Sequence, residues 1–255
     1  MKSISLSFMF AALALAVAPS ALAQKGGMNV PEHAIRPVVM ELFSSQGCGK
    51  CPAANDNIAK LSERSDVIAL TYPVGYWDYL GWDDTFAKPE FTERQKRYNR
   101  ALKYRGPYTP QVVYSGRIHG SGVNMKVIEE KFAVRDISPY PTTVTFENGS
   151  VVVAPTPGVK PKDKTPEVKV ALTDTPETKA SVVLVHYKPG TTKITPGAGA
   201  NKGKTMTYMN LVTGFESLGE WTGGTQKFAA KCATGCVVLI QRGGAEGVII
   251  GAAKK

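Results

Sequence analysis

The sequence predicts an α/β domain with a mixed sheet and a Cys-x-x-Cys pair at a helix N-terminus, followed by an all-β, antiparallel, sandwich-like domain. Three observations carry that expectation. The stretch Glu41-Leu-Phe-Ser-Ser-Gln-Gly-Cys48-Gly-Lys-Cys51-Pro52 reads as a buried strand, a short polar turn and two cysteines opening a helix. Strand-like and helix-like runs alternate from there as far as Ser138. Beyond Ser138-Pro-Tyr-Pro141 the runs are short and strand-like, separated by Gly, Pro and Lys turns, with no competing helix of length.

The chain begins with Lys2, an apolar run from Ile4 to Val17, and Ala21-Leu22-Ala23 before Gln24. A charged start, a short apolar core and an Ala-x-Ala ending describe a cleavable secretory leader, here residues 1–23. The apolar run is too short to span a bilayer comfortably, and no other stretch reaches spanning length. All four cysteines fall after the leader, so the expected compartment is oxidising: the periplasm, or secretion. The expected domains are then 24–138 and 139–255. The net charge of +10 is spread over loop lysines such as Lys160, Lys202, Lys204, Lys254 and Lys255. No basic helix or aromatic-interleaved stripe accompanies it, so no nucleic-acid partner is expected.

The elements follow in order. Val38 to Phe43 is the strand that feeds the cysteines. A thiol at a helix N-terminus meets unpaired backbone N–H groups and the positive end of the helix dipole, which favour thiolate. Lys50 adds a nearby positive charge, and stabilising the Cys48 thiolate makes a pair more oxidising. Cys51 lies one turn on, placed to resolve a mixed disulfide. Pro52 suits the first helical turn, and the helix runs on to Glu63 with Ile58 and Leu61 facing a core. Val67 to Tyr72 reads as the next strand, ended by Pro73.

Tyr76-Trp77-Asp78-Tyr79-Leu80-Gly81-Trp82 is too aromatic for an ordinary connector. Its rings either tuck onto the domain or form a substrate-facing rim, which makes Tyr76, Trp77 and Trp82 candidate binding residues. Pro89 to Leu102 reads as a helix with a solvated basic face, and Arg105-Gly-Pro-Tyr108 turns the chain into Thr109-Pro110-Gln111. A proline just before a strand, downstream of a Cys-x-x-Cys helix, is expected in cis, its backbone facing the cysteines, rather than as a trans proline opening an edge strand. Arg117 to His119 and Val123 to Val134 complete this part as a strand and a helix.

Strand, Cys-x-x-Cys helix, strand, helix, Thr-Pro strand, strand, helix is the thioredoxin-like order. The set Glu41-Leu-Phe-x-Ser45-Gln46-Gly47-Cys48-x-x-Cys51-Pro52, then Tyr76-Trp77-Asp78-x-Leu80-Gly81-Trp82, then Tyr108-Thr109-Pro110-Gln111 closely resembles a secreted bacterial thioredoxin-like family catalogued as a domain of unknown function. The resemblance covers nearly the whole chain after the leader, including the strand around Gln241. In that family a His-Val-Asp lead into Tyr-Trp is expected, and here Pro73-Val74-Gly75 stands instead. The resemblance implies disulfide exchange, with Cys48 attacking, Cys51 resolving, and Thr109 and Pro110 as the platform for a substrate strand. Glu41 is either a buried proton acceptor for Cys51 or a partly exposed strand-end residue.

In the second part, Thr142 to Phe146, Asn148-Gly149 and Val151 to Ala154 form the clearest hairpin, since Asn-Gly suits a tight primed turn. Val168 to Leu172, Ser181 to Tyr187, Thr205 to Val212, Cys236 to Gln241 and Val248 to Ala252 are further strands, and Pro155 to Pro166 is a polar loop. Gly197-Ala-Gly-Ala-Asn-Lys-Gly203-Lys204-Thr205 imitates a phosphate-binding loop, but Ala198 stands where Gly is needed and a strand follows. Cys232-Ala-Thr-Gly-Cys236 has no helix N-terminus and is expected to be a structural disulfide rather than a second redox pair.

The two cysteine pairs fall in different domains, and His33, His119 and His186 show no metal spacing, so no metal or other cofactor is expected. Pro52 after Cys51 also departs from a haem-attachment motif. The function read from the sequence is a thiol–disulfide oxidoreductase acting through a Cys48–Cys51 disulfide, with thiol or disulfide protein substrates and a redox partner protein. The alternatives are a binding module in which that disulfide is structural, and a thiol protein serving copper or haem delivery. A closed Cys-x-x-Cys ring constrains little chain entropy, which argues against a purely structural bridge.

Overall fold

A computed structural model describes residues 36–133, 140–159 and 179–255. The expected leader, the Ser138 boundary, the strand Val168 to Leu172 and His33 lie outside the described residues. The first segment runs β1 (Val38–Ser44), α1 (Cys51–Leu61), β2 (Val67–Pro73), α2 (Pro89–Ala101), β3 (Gln111–Tyr114), β4 (Ile118–Gly120) and α3 (Met125–Ala133). After these come β5 (Thr142–Glu147), β6 (Ser150–Pro155), β7 (Ala180–Ile194), β8 (Met206–Trp221), β9 (Gln226–Ala229), β10 (Gly235–Arg242) and β11 (Val248–Lys254).

The architecture is mixed α/β. β1 is buried along its whole length because it is central: β2 pairs with it in parallel, β3 antiparallel. Alternation along β1 sends Met40 and Leu42 to one face, where Ala54, Ile58 and Leu61 of α1 and Ile128 and Phe132 of α3 cover them. Val39 and Phe43 point to the other face, into a core shared with Phe91 and Tyr98 of α2.

The second half departs from the expected sandwich. β7, β8, β10 and β11 continue the first sheet, giving one eight-stranded sheet in the order β11-β10-β7-β8-β2-β1-β3-β4. Among the described residues, β5, β6 and β9 form a separate, three-stranded antiparallel sheet. The join lies at β2, whose outer edge would otherwise present unpaired backbone groups. β8 runs parallel to it, with Thr71 opposite Leu211. The Thr71 hydroxyl donates to the Met209 carbonyl at 2.7 Å, and the Asn210 amide donates to the Ala69 carbonyl at 2.9 Å. The small sheet covers the far half of the large one through Val151 and Val153 against Val182, Leu184, Val238 and Ile240.

The β7–β8 hairpin is much longer than the sequence indicates. The expected strand ends at Tyr187, yet β7 continues through Pro189-Gly190 with an irregularity between Lys188 and Thr191. Gly190 takes φ of 78° there, a left-handed conformation open to glycine, and its N–H donates to Asn210 Oδ1 at 3.1 Å. The hairpin thereby reaches past β2 and over the cysteine loop.

Candidate functional site: a buried dithiol under a hairpin tip

β1 ends at Ser44, and α1 begins at Cys51, so Cys48 sits in the connecting loop and only Cys51 belongs to the helix. The loop is a tight hydrogen-bonded turn: the Cys48 N–H donates to the Ser45 carbonyl at 3.2 Å and the Cys51 N–H to the Cys48 carbonyl at 3.0 Å. Both cysteines are free thiols here, Cys48 3% exposed and Cys51 fully buried. The Ser45 N–H points at the Cys51 sulfur at 3.5 Å.

Their chemistry is asymmetric. The Cys48 thiol is lowered to about 6, chiefly by the hydrogen bond from Cys51, with the Thr109 hydroxyl and the Lys50 and Cys51 backbone N–H groups adding to it against the opposing effect of burial. The Cys51 thiol is pushed well up, first by burial and then by its thiolate neighbour. Lys50 acts through its backbone; its side chain is exposed.

Thr109 and Pro110 stand beside the pair, joined by a cis peptide bond. The Trp77 indole N–H donates to the Thr109 hydroxyl at 2.6 Å, so the hydroxyl's own proton is left for Cys48. α2 fixes the same strand from behind, the Gln95 side chain donating to the Tyr108 carbonyl at 2.8 Å and to Gln111 at 2.7 Å. Tyr76 packs on the core nearby, and burial raises its phenol. Tyr79 stacks on Trp77 and is 77% exposed. Within the aromatic segment Trp77 thus supports Thr109, and Tyr79 faces solvent.

Two further groups shape the loop. Asp84 is buried and accepts from the Gln46 N–H at 2.7 Å, the Gln46 side-chain amide at 2.9 Å and the Phe86 N–H at 3.1 Å. Burial raises its carboxyl to about 6 despite those donors. Trp82 donates to the remaining Gln46 oxygen at 2.7 Å. The tip between β7 and β8 closes the top: Asn201, fully buried, donates to the carbonyls of Gln46 and Cys48, both at 2.9 Å. Gly197 lies flat on the Trp82 ring, where a Cβ would come within 2.8 Å of the indole. Met206, Tyr208 and Leu211 complete an apolar cluster with both cysteines.

The structure does not bring Glu41 to the pair. It lies on the α2 face of β1, opposite α1, in a fully buried ion pair with Arg94 at 2.7 Å. Tyr98 donates to its second oxygen, and Arg94 also reaches Gln241 and Glu246. Gln46, Asp84, Asn201 and Met206 were missed by sequence reasoning. Gln46 stood inside the motif; Asn201 stood inside the false phosphate loop, 153 residues from the Cys48 carbonyl it holds. Among the described residues no group of three or more His, Cys, Asp and Glu side chains could hold a metal, and no helix is long and apolar enough to cross a membrane.

Comparison with known proteins places this architecture. A crystal structure of an Agrobacterium tumefaciens protein, solved by a structural genomics consortium, is similar with a TM-score of 0.64 and 29% identity, over 87% of this chain and 94% of that one. HBP35 of Porphyromonas gingivalis is similar at a TM-score of 0.52 and 15% identity, over 87% of this chain and 75% of that one, a likeness of fold alone. No curated protein matches the chain. The model of a family described as proteins of unknown function, DUF1223, matches residues 39–241, and the chain belongs to that family.

Proposed function

We propose that the protein is a periplasmic or secreted thiol–disulfide oxidoreductase of thioredoxin-like build, exchanging disulfides with protein substrates through Cys48 and Cys51. The observation that carries this reading is the asymmetry of the pair: one thiol at about 6, its neighbour well above the ordinary thiol range, beside Thr109 and Pro110. The order of β1 to α3 and the exposed Tyr79 next to that strand support it.

In the oxidising direction a substrate thiolate attacks the Cys48 sulfur of a Cys48–Cys51 disulfide, and Cys51 leaves. The second substrate thiol then attacks the substrate sulfur of the mixed disulfide and releases Cys48, whose low proton affinity makes it the better leaving group. The pair gains two electrons and the substrate loses two. A redox partner protein returns the pair to its starting state. The reverse sequence reduces a substrate disulfide, with Cys48 attacking. Burial of Cys48 means that substrate entry displaces the segment around Asn201. Reaction of a Cys232→Ser/Cys236→Ser chain with a disulfide-bonded unfolded peptide tests the reading: in Cys51→Ser the Cys48 thiolate attacks the peptide disulfide, one peptide thiol leaves and the mixed disulfide at Cys48 accumulates, and Cys48→Ser is inactive. A Cys48→Ser protein that exchanges as fast as the parent overturns it.

Copper delivery is a second reading, favoured by Met206, which is fully buried in the same cluster as the two thiols. Two thiols and a thioether make a soft donor set of the kind that suits Cu(I). Competition with a chromogenic Cu(I) chelator, with Met206→Leu alongside, tests it; loss of Cu(I) retention only in the variant supports this reading.

A further inference from the structure

The second cysteine pair is not placed like an inert staple. Cys232 and Cys236 are bonded across four positions, a small ring that constrains little chain entropy. β10 is already held on both sides, by β7 and by β11. Cys236 pairs in register with His186 on β7, and its sulfur is 3.6 Å from His186 Nδ1. The other ring nitrogen, Nε2, is 3.1 Å from a Glu216 carboxylate oxygen. Glu216 lies two positions beyond Gly214, the β8 partner of His186, so strand alternation puts both side chains on one face. With Nε2–H donating to the carboxylate, Nδ1 presents its lone pair to the sulfur. This is the relation of nucleophile, base and orienting acid, assembled from three neighbouring strands.

We propose that Cys232–Cys236 is a second redox-active disulfide, reduced by the dithiol of another protein, with His186 as proton acceptor and counter-ion for Cys236 and Glu216 as the positioning residue for His186. The two sulfurs differ in access: Cys236 is fully buried and Cys232 is partly exposed. A thiolate of the reductant attacks Cys232, the S–S bond breaks, and Cys236 departs as a thiolate paired with the protonated imidazole. The reductant's second thiol then attacks its own sulfur in the mixed disulfide, releasing Cys232 and forming the reductant's disulfide. Two electrons and two protons pass to the Cys232–Cys236 pair.

The test uses the full chain carrying Cys48→Ser and Cys51→Ser, so that its outcome is independent of the first pair. The protein is equilibrated in mixtures of reduced and oxidised glutathione, alkylated and weighed by mass spectrometry. The pair should open and close reversibly at millimolar glutathione. His186→Gln should shift the equilibrium constant towards the disulfide by about tenfold, roughly 30 mV, because the reduced form loses its counter-ion. Glu216→Gln, at a position whose side chain is 55% exposed and so tolerant of change, should shift it in the same direction by less. A bond that stays closed in every mixture in which the fold persists overturns the proposal, as does an equilibrium constant indifferent to both substitutions.

Discussion

The Cys48 thiolate is favoured by donors rather than by charge: Cys51, Thr109 and two backbone N–H groups point at it, while the Lys50 ammonium faces solvent. Alkylation of Cys48 by iodoacetamide should therefore show a midpoint near pH 6 instead of near 9, unchanged in Lys50→Ala and moved upward in Thr109→Val. Because the folded thiol lies below its ordinary value of 9.0, its contribution to stability is present above pH 9 and lost as pH falls through about 6. Chemical denaturation of the reduced protein should show its advantage over Cys48→Ser growing across that window. Glu41 belongs to a different account. Its replacement by Gln leaves Arg94 a buried cation with Glu246 3.6 Å away as its remaining acid. Stability should fall by about 3 kcal/mol, the low end for breaking a buried pair. The Cys48 midpoint should stay in place; a Glu41→Gln protein that keeps its stability and shifts that midpoint would restore Glu41 as a proton acceptor.

Among the elements, the tip between β7 and β8 is the part of the site that local sequence could not reveal. Cys-x-x-Cys followed by Pro52, the apolar run of β1 and the Thr109-Pro110 turn are local patterns, and each is legible because neighbouring residues determine it. The grip of Asn201 on the Gln46 and Cys48 carbonyls depends on chain brought from far along the sequence, and its glycine-rich setting imitates another motif. The Glu41–Arg94 pair was hidden for the same reason: 53 positions separate its members, and Arg94 read as part of a solvated helix face. Asn201→Ala should remove two buried hydrogen bonds, each worth about 1 kcal/mol, and loosen the tip. Cys48 should then alkylate several-fold faster at saturating pH, with its midpoint near 6 retained. Gly197→Ala should act in the same direction, because its Cβ would meet the Trp82 ring at 2.8 Å. An alkylation rate unaffected by either change would show that the tip does not control access.

For the whole molecule, the continuous sheet ties the two halves of the chain into one folding problem. The hairpin of β5 and β6 around Asn148-Gly149 was legible with its pairing, but the sheet that β7, β8, β10 and β11 join was not, because strand alternation does not say which edge a strand will join. With β8 seated on β2 and its tip over Cys48, a fragment ending before Tyr140 would expose the β2 edge and open the dithiol. Such a fragment should fail to fold cooperatively, whereas the described chain should unfold in one transition by calorimetry. Whether Cys48 and Cys51 exchange electrons is read from their reduction potential in a glutathione series, measured on a Cys232→Ser/Cys236→Ser chain. A reversible couple in the range of known exchangers, roughly −120 to −270 mV, is the expected result. A disulfide that resists reduction below about −300 mV, as structural bridges do, would contradict it.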